Sequence, residues 1–332
     1  MRSTCAVTTA ASQDRVSVAL CTYNGAQYLS QQLDSLVAQT LQPAELVVCD
    51  DGSSDETLAI ITEFARNSPF PVRLFRNESN LGSTKNFDRA IGLCDTDSIA
   101  LCDQDDIWKP GKLAALQFAL DRNPSLGGVF SDAELISADG AGRGQTLFTA
   151  HRLSLGIPES FSREAALKVL FKYDFVTGAT LMIRSTMRPL FRPIPKSWVH
   201  DSWIAWIIAL YSQLSFVNEP LMAYRVHPNQ QIGMGVTTLI GKIRRTRHTS
   251  LSTHRGTSVR FQELRKRWKC QPGEDFTRLM SMIDAKIAFL EQRSALSRTL
   301  APRMIQILRL ARQYDQFARG YRSMRKDLFL AS

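Results

Sequence analysis

The chain has 332 residues, 44% of them hydrophobic and 22% charged. That balance excludes a disordered or fibrous protein and suits one large domain with a full core, alone or with a smaller helical part. The formal charge of +10 is unevenly placed: residues 240–332 hold 21 Lys and Arg against 7 Asp and Glu, whereas residues 1–239 hold 20 against 24. A basic segment behind a mildly acidic body reads as an attachment surface for phosphates, of nucleic acid or of an anionic leaflet, or as a solvated helical face.

Residues 1–14 are expected to be a flexible N-terminus, with Arg2 and small polar residues in place of an apolar signal core, so export is not expected. From Val16 to Leu120, short apolar runs rich in β-branched residues alternate with segments of helical period. This is the pattern of an α/β fold with an open, mostly parallel sheet flanked by helices. The expected strands are Val16–Cys21, Leu46–Cys49, Val72–Phe75 and Ile99–Cys102. The helices between them bury Leu29, Leu33, Leu36 and Val37, then Leu58, Ile61 and Phe64, then Phe87, Ala90 and Ile91. Further on, Val129–Leu135 and Thr177–Ile183 look like strands. From about residue 240 the pattern is helical and basic. The boundaries expected are a catalytic domain over 15–238 and a basic helical C-terminal region over 239–332.

Of the six cysteines, Cys21, Cys49 and Cys102 fall in the expected strands, Cys5, Cys94 and Cys270 outside them, and no C-x-x-C pair occurs. Reduced, core-filling thiols and a cytoplasmic protein are expected. The most apolar stretch, Trp203–Tyr211, is far below the roughly 18 residues needed to cross a bilayer, so membrane contact should be peripheral.

In open α/β sheets ligands bind beyond the carboxyl ends of the strands. There the first strand runs into Thr22-Tyr23-Asn24-Gly25, the second into Asp50-Asp51-Gly52-Ser53-Ser54-Asp55 and the fourth into Asp103-Gln104-Asp105-Asp106. Three carboxylates within four residues repel one another unless a cation or a proton relieves them, and a D-x-D behind a buried strand suits Mg²⁺ or Mn²⁺ bridged to a diphosphate. A carboxylate at Asp50 or Asp51 could accept the imide N–H of a pyrimidine base, while Ser54 or Asp55 caps the next helix. Asp201, after His200 and before Trp203, could be a helix cap or the carboxylate that deprotonates an attacking hydroxyl. In Tyr224-Arg225-Val226-His227, Arg225 can bond phosphate and His227 could bind the metal or the diphosphate. Gln230, Gln231 and Gly233 suggest a mobile loop after it.

These pieces, with Val18-Ala19-Leu20-Cys21, Asn80-Leu81-Gly82, Asn86-Phe87, Ile107-Trp108 and Val176-Thr177-Gly178-Ala179, resemble the family 2 glycosyltransferases of the GT-A fold. The likeness is strongest to bacterial members that build O-antigen and capsule polysaccharide, rhamnosyltransferases among them. It follows the family's order over residues 16 to about 233. The resemblance implies an inverting, metal-dependent transfer of a sugar, rhamnose being one candidate, from a nucleoside-diphosphate donor to a hydroxyl of a glycan or lipid-linked glycan. It implies donor contacts from Thr22, Tyr23, Asn24, Asp50, Asp51, Gly82, Asn86, Asp103, Gln104 and Arg225. It also implies a Mg²⁺ or Mn²⁺ at Asp103, Asp105 and His227, acceptor contacts from Thr177, Gly178, His200 and Trp203, and Asp201 as general base. By analogy the donor carries thymidine or uridine diphosphate, and the enzyme sits peripherally on the inner face of an anionic membrane. Two departures stand out: many members have Glu-Asp where this chain has His200-Asp201, and the family's Gln-x-x-Arg-Trp is replaced by Tyr224-Arg225-Val226-His227.

A sugar-phosphate nucleotidyltransferase is disfavoured by the single Gly25 after the first strand, where a glycine-rich phosphate loop is expected. A nucleic-acid-binding protein is suggested by Arg244-Arg245, Arg265-Lys266-Arg267 with Trp268 and the run from Arg319 to Lys326, but no zinc-finger or recognition-helix pattern accompanies them.

Overall fold

The computed structural model describes residues 16–150, 162–228, 230, 251–268 and 274–329. The expected flexible N-terminus, Cys5, Cys270, Gln231, Gly233, Arg244-Arg245 and the boundary at 238–239 lie outside the described residues.

Strands β1 (Val16–Thr22), β2 (Glu45–Asp50), β3 (Val72–Arg76) and β4 (Ser98–Cys102) lie side by side in the order β3-β2-β1-β4, all parallel. Every residue of β1, β2 and β4 is buried, as strands covered on both faces must be. The covering helices are α1 (Ala26–Val37), α2 (Thr57–Asn67) and α3 (Ser83–Leu93). Leu29, Leu33, Leu36, Ile61, Phe87, Ala90 and Ile91 are buried as the helical period predicts, whereas Val37, at the end of its stripe, is exposed.

Beyond β4 the sheet becomes mixed. After β5 (Ile107–Trp108) and α4 (Lys112–Arg122), the long strand β6 (Leu126–Ser137) carries the side strand β7 (Gly142–Thr146). Then come α5 (Leu147–Ala150), α6 (Arg163–Leu170), β8 (Leu181–Arg184) and α7 (Arg188–Phe191). β8 pairs antiparallel with both β4 and β6, and β6 runs parallel to β9 (Gln213–Val226), which ends at β5. The run expected to be one strand over 177–183 is divided: Gly178–Thr180 forms a 3₁₀ turn and only the residues after it join the sheet. The Thr180 N–H and hydroxyl both return to the Thr177 carbonyl (2.9 and 2.7 Å), a local bond that competes with the ladder.

Helix α8 (His200–Tyr211) is buried at every position from Ser202 to Leu210, so the apolar stretch is core. No helix among the described residues is long and apolar enough to cross a membrane. The C-terminal helices α9 (Leu251–Arg267), α10 (Glu274–Ser294), α11 (Leu300–Arg309), α12 (Ala311–Phe317) and α13 (Tyr321–Leu328) pack onto that core. Phe261 of α9 meets Trp206 edge-on at 5.3 Å, and the buried Lys286 of α10 donates to the carbonyls of Phe171 and Phe317. Within the helices, buried Asp327 accepts from Arg293 (2.6 and 3.0 Å), His254 (3.3 Å) and the Tyr314 hydroxyl. Burial alone raises a carboxyl, but the His254 and Arg293 bonds hold Asp327 down at about 2.

Candidate active site

The loops after β1, β2 and β4 open onto one cavity of about 590 Å³, a volume suited to a ligand the size of a nucleotide sugar. Asn24, in the loop after β1, takes the left-handed conformation (φ 47°) that Asn tolerates better than most residues, and its side chain accepts from Ser54 N–H (2.8 Å). The Gln104 side chain bridges both backbone groups of Tyr23 (2.8 and 3.0 Å), fastening the loop after β1 to the loop after β4. Asp55, not Ser54, takes the first N–H of α2, from Thr57 (3.1 Å), and also accepts from Ala26 (3.1 Å).

The two aspartates at the end of β2 divide the work. Asp50 is fully buried and accepts from Thr22 Oγ1, Gly52 N–H, Ser53 N–H and Ser53 Oγ, so its oxygens are committed inside the loop and it does not line the cavity. Asp51 does line it, while accepting from Asn77 Nδ2 (2.6 Å), Leu81 N–H (2.8 Å) and Gly82 N–H (2.9 Å). Gly82 supports this from outside the cavity wall: its φ of 80° lets the chain turn into α3 with the N–H aimed at Asp51. Asn86 reaches the wall and donates to the Cys49 carbonyl (2.8 Å).

In the acidic loop, Asp103 and Asp105 face the cavity and Asp106 faces inward, accepting from Arg225 N–H (2.9 Å). Burial, then the charges of Asp105 and Asp201, push the Asp103 carboxyl up to about 8. His227 on the cavity wall meets Asp105 Oδ2 through Nε2 at 2.8 Å. Arg225, expected on a phosphate, is 1% exposed and lies off the wall. Its guanidinium donates to the carbonyls of Asp105 (2.8 Å) and Ala138 (3.0 Å) and to Gln31 Oε1 (2.7 Å), and stacks on Tyr28 at 4.5 Å. It braces the acidic loop from behind.

The other side of the cavity is made by the 3₁₀ turn and the start of α8. Gly178 N–H donates to Asp201 Oδ2 (3.1 Å) and Ser202 N–H to Asp201 Oδ1 (2.6 Å), which fixes the carboxylate plane. Burial pushes Asp201 up to about 6. His200 stacks on Phe87 with ring centroids 4.0 Å apart, and neither ring nitrogen has a hydrogen-bond partner within the protein. Burial lowers it to about 3, so the ring is neutral at physiological pH. Trp203 lies off the wall, fully buried, with Nε1 donating to the Phe191 carbonyl (2.7 Å). Gly178 is needed for close approach: a Cβ there would stand 2.6 Å from His200 Nε2. Gly178→Ala should therefore displace His200 and Asp201 and reduce turnover at least tenfold with the fold intact, a result that kinetics beside a thermal melt would check.

Two charged residues at this site carried no signal in the sequence. Asp174 lines the cavity and accepts from Ser202 Oγ (2.7 Å), in a segment with no readable pattern. Lys112 looks like a solvent-facing residue at a helix start, yet it is 1% exposed, sits 3.5 Å above the Trp108 ring and donates to the Ala179 carbonyl (2.5 Å). Burial lowers it to about 7 against the opposing pull of nearby Cys102, Asp106 and Asp103.

No cluster of three or more His, Cys, Asp or Glu side chains able to hold a metal ion occurs among the described residues. The chemistry of Asp103 and Asp105 nevertheless suits a divalent cation completed by substrate phosphates, the mode in which Mg²⁺ is commonly held. The crowded Asp103 carboxyl is the group whose charged form such a cation stabilises.

A parallel sheet that becomes mixed after its fourth strand, with an acidic loop at that strand's carboxyl end, defines the GT-A class of fold. Residues 17–160 match the model of glycosyl transferase family 2. An uncharacterised protein of Mycobacterium tuberculosis is 27% identical over 215 residues, 64% of this chain and 59% of its own length. The match thus spans under two thirds of that relative. Among solved structures, Staphylococcus aureus TarS 1–349 in complex with UDP-GlcNAc aligns with a TM-score of 0.58 at 15% identity, covering 95% of this chain and 89% of that one. The mannosyltransferase PcManGT of Pyrobaculum calidifontis, in complex with GDP-Man and Mn²⁺, aligns at 0.55 and 15%, covering 90% and 75%.

Proposed function

We propose that the protein is an inverting glycosyltransferase that moves a sugar from a nucleoside-diphosphate donor to a hydroxyl of a glycan acceptor. The observation that carries this reading is that a single cavity holds the acidic pair Asp103 and Asp105 together with Asp201, whose carboxylate is oriented by two backbone N–H groups. The donor's base and ribose lie along Thr22, Tyr23, Asn24 and Asp51, with Asn86 and Gln104 beside them. Asp103 and Asp105, with His227 adjacent, would hold a Mg²⁺ or Mn²⁺ that neutralises the diphosphate. The acceptor enters against Thr177, Gly178 and His200, and its attacking hydroxyl gives its proton to Asp201. The new bond to the anomeric carbon forms as the bond to the diphosphate oxygen breaks, the nucleoside diphosphate leaves, and configuration inverts. Trp203 and Arg225 act from behind, as packing and as a brace.

A thymidine or uridine diphosphate donor, rhamnose as the sugar, and a lipid-linked glycan of a cell-surface polysaccharide as acceptor complete the proposal. They follow the likeness of the Asp103-Gln104-Asp105-Asp106 and His200-Asp201 motifs to bacterial polysaccharide enzymes. The basic C-terminal region and the buried free thiols of Cys21, Cys49, Cys94 and Cys102 support work at the cytoplasmic face of an anionic membrane. The test is purified protein with Mn²⁺ or Mg²⁺ and a panel of nucleotide sugars, scored for released nucleoside diphosphate beside Asp105→Ala and Asp201→Ala. Metal-dependent release from one donor, lost in both variants, is expected. No release from any donor, together with no metal-dependent nucleotide binding, would sink the reading.

A further inference from the structure

We propose that the outer face of α11 docks onto an anionic lipid surface, seating the catalytic domain on the membrane. The proposal draws on the reading above only in placing the enzyme at a membrane; the face itself is a separate observation. Helix α11 has a buried side and an exposed apolar side. Arg303 and Ile307 turn inward, Arg303 donating to the Leu328 carbonyl of α13 (3.1 Å). Leu300, Met304 and Leu308 form a row at i, i+4 and i+8 with Ile305 next to it, and these four side chains are 60, 48, 61 and 50% exposed. Tyr321 and Phe329, at the two ends of α13, are exposed as well. Leu310 and Phe317, apolar residues of the same basic segment, are buried in the helical core, so the exposed side chains are a selected set.

The exposed charges of this segment are cations but for Asp315. Arg298, Arg309, Arg312, Arg322, Arg325 and Lys326 are exposed, and none forms a salt bridge among the described residues. Between residues 298 and 329 the acids are Asp315 and Asp327, and Asp327 is sealed against Arg293. An apolar ridge flanked by arginines is the design of an interfacial helix, its leucines entering the acyl boundary and its cations meeting lipid phosphates. Nucleic acid would use the arginines and leave the ridge in water. A second copy of the chain would cover the ridge but bring like charges together across the contact.

Flotation of the full chain with vesicles of phosphatidylcholine, with and without phosphatidylglycerol, tests the assignment at low and high salt. The wild type should float with the anionic vesicles, less so at high salt. Leu300→Gln, Ile305→Gln and Leu308→Gln together should weaken that partition roughly 100-fold, and Arg309→Gln with Arg312→Gln about 10-fold. Thermal melts and donor hydrolysis in solution should be unchanged in both variants, because these side chains are exposed and none of them lines the cavity. Equal flotation by the apolar variant overturns the proposal, as does equal binding to neutral vesicles. So do retention by duplex DNA without vesicle binding, and a dimer in light scattering that the apolar variant dissolves. Vesicle binding without donor turnover would leave the lipid face standing and remove the catalytic reading instead.

Discussion

Asp201→Asn should lower kcat by about 10²- to 10⁴-fold, the usual contribution of a positioned general base, and leave donor affinity unchanged. The substitution keeps the size of the side chain, and the amide oxygen can still accept the Gly178 N–H that now reaches Oδ2, at the cost of the Ser202 N–H bond to Oδ1. What it removes is the ability to take a proton. Burial raises the Asp201 carboxyl to about 6, so its basic form is present above that pH and is lost as the pH falls through it. The wild-type kcat should therefore decline about tenfold per pH unit below roughly 6, and that limb should be absent from the residual rate of the variant. A variant that kept kcat within threefold, or an acidic limb that survived the substitution, would show that Asp201 is a helix-start carboxylate and no more.

Much of this site was legible in the sequence because its backbone logic is local. A buried strand that ends in Asp-Gln-Asp-Asp, or in Asp-Asp-Gly-Ser-Ser-Asp, has its chemistry at the strand end whatever the rest of the chain does. Burial of β1, β2 and β4 on both faces could be read from unbroken apolar runs. Hidden from the sequence were the directions of side chains that alternate or fork. Asp50 and Asp51 are neighbours on one strand end, and the pleat sends the first into the loop's own hydrogen bonds and the second to the cavity. Arg225 is followed two residues later by His227, yet a brace behind the acidic loop and a residue on the cavity wall are what those two positions became. The 3₁₀ turn at Gly178–Thr180 escaped notice because Val, Thr, Ala, Leu, Met and Ile in sequence look like strand, while the local bonds of Thr180 decide otherwise. Asp174 and Lys112 needed the tertiary fold, since Trp108 is near Lys112 in the chain but the Ala179 carbonyl and, for Asp174, the Ser202 hydroxyl are not.

Lys112→Met tests whether that hidden lysine holds the site together. Its ammonium is enclosed between the Trp108 ring, the Met222 sulfur and the Ala179 carbonyl, close to Asp106 and Asp103. Asp106 is itself fully buried, its Oδ2 has no hydrogen-bond partner, and burial with the charges of Asp105 and Asp103 raises it far above the carboxylate range. Removing the lysine takes the donor from the Ala179 carbonyl and a nearby cation from Asp106, and should cost about 3 kcal/mol of stability, read as a lower urea midpoint. Turnover should also fall about tenfold, because Ala179 belongs to the turn whose Gly178 N–H orients Asp201. The informative control is Lys112→Met combined with Asp106→Asn. Asp106→Asn takes away the buried ionisable carboxyl whose charged form the Lys112 ammonium favours, so the double variant should recover part of the lost stability. Turnover should stay low in it, since the bond to Ala179 is still missing. Recovery of both together would make Lys112 a counter-charge alone. Recovery of neither would mean that packing over Trp108 governs the site.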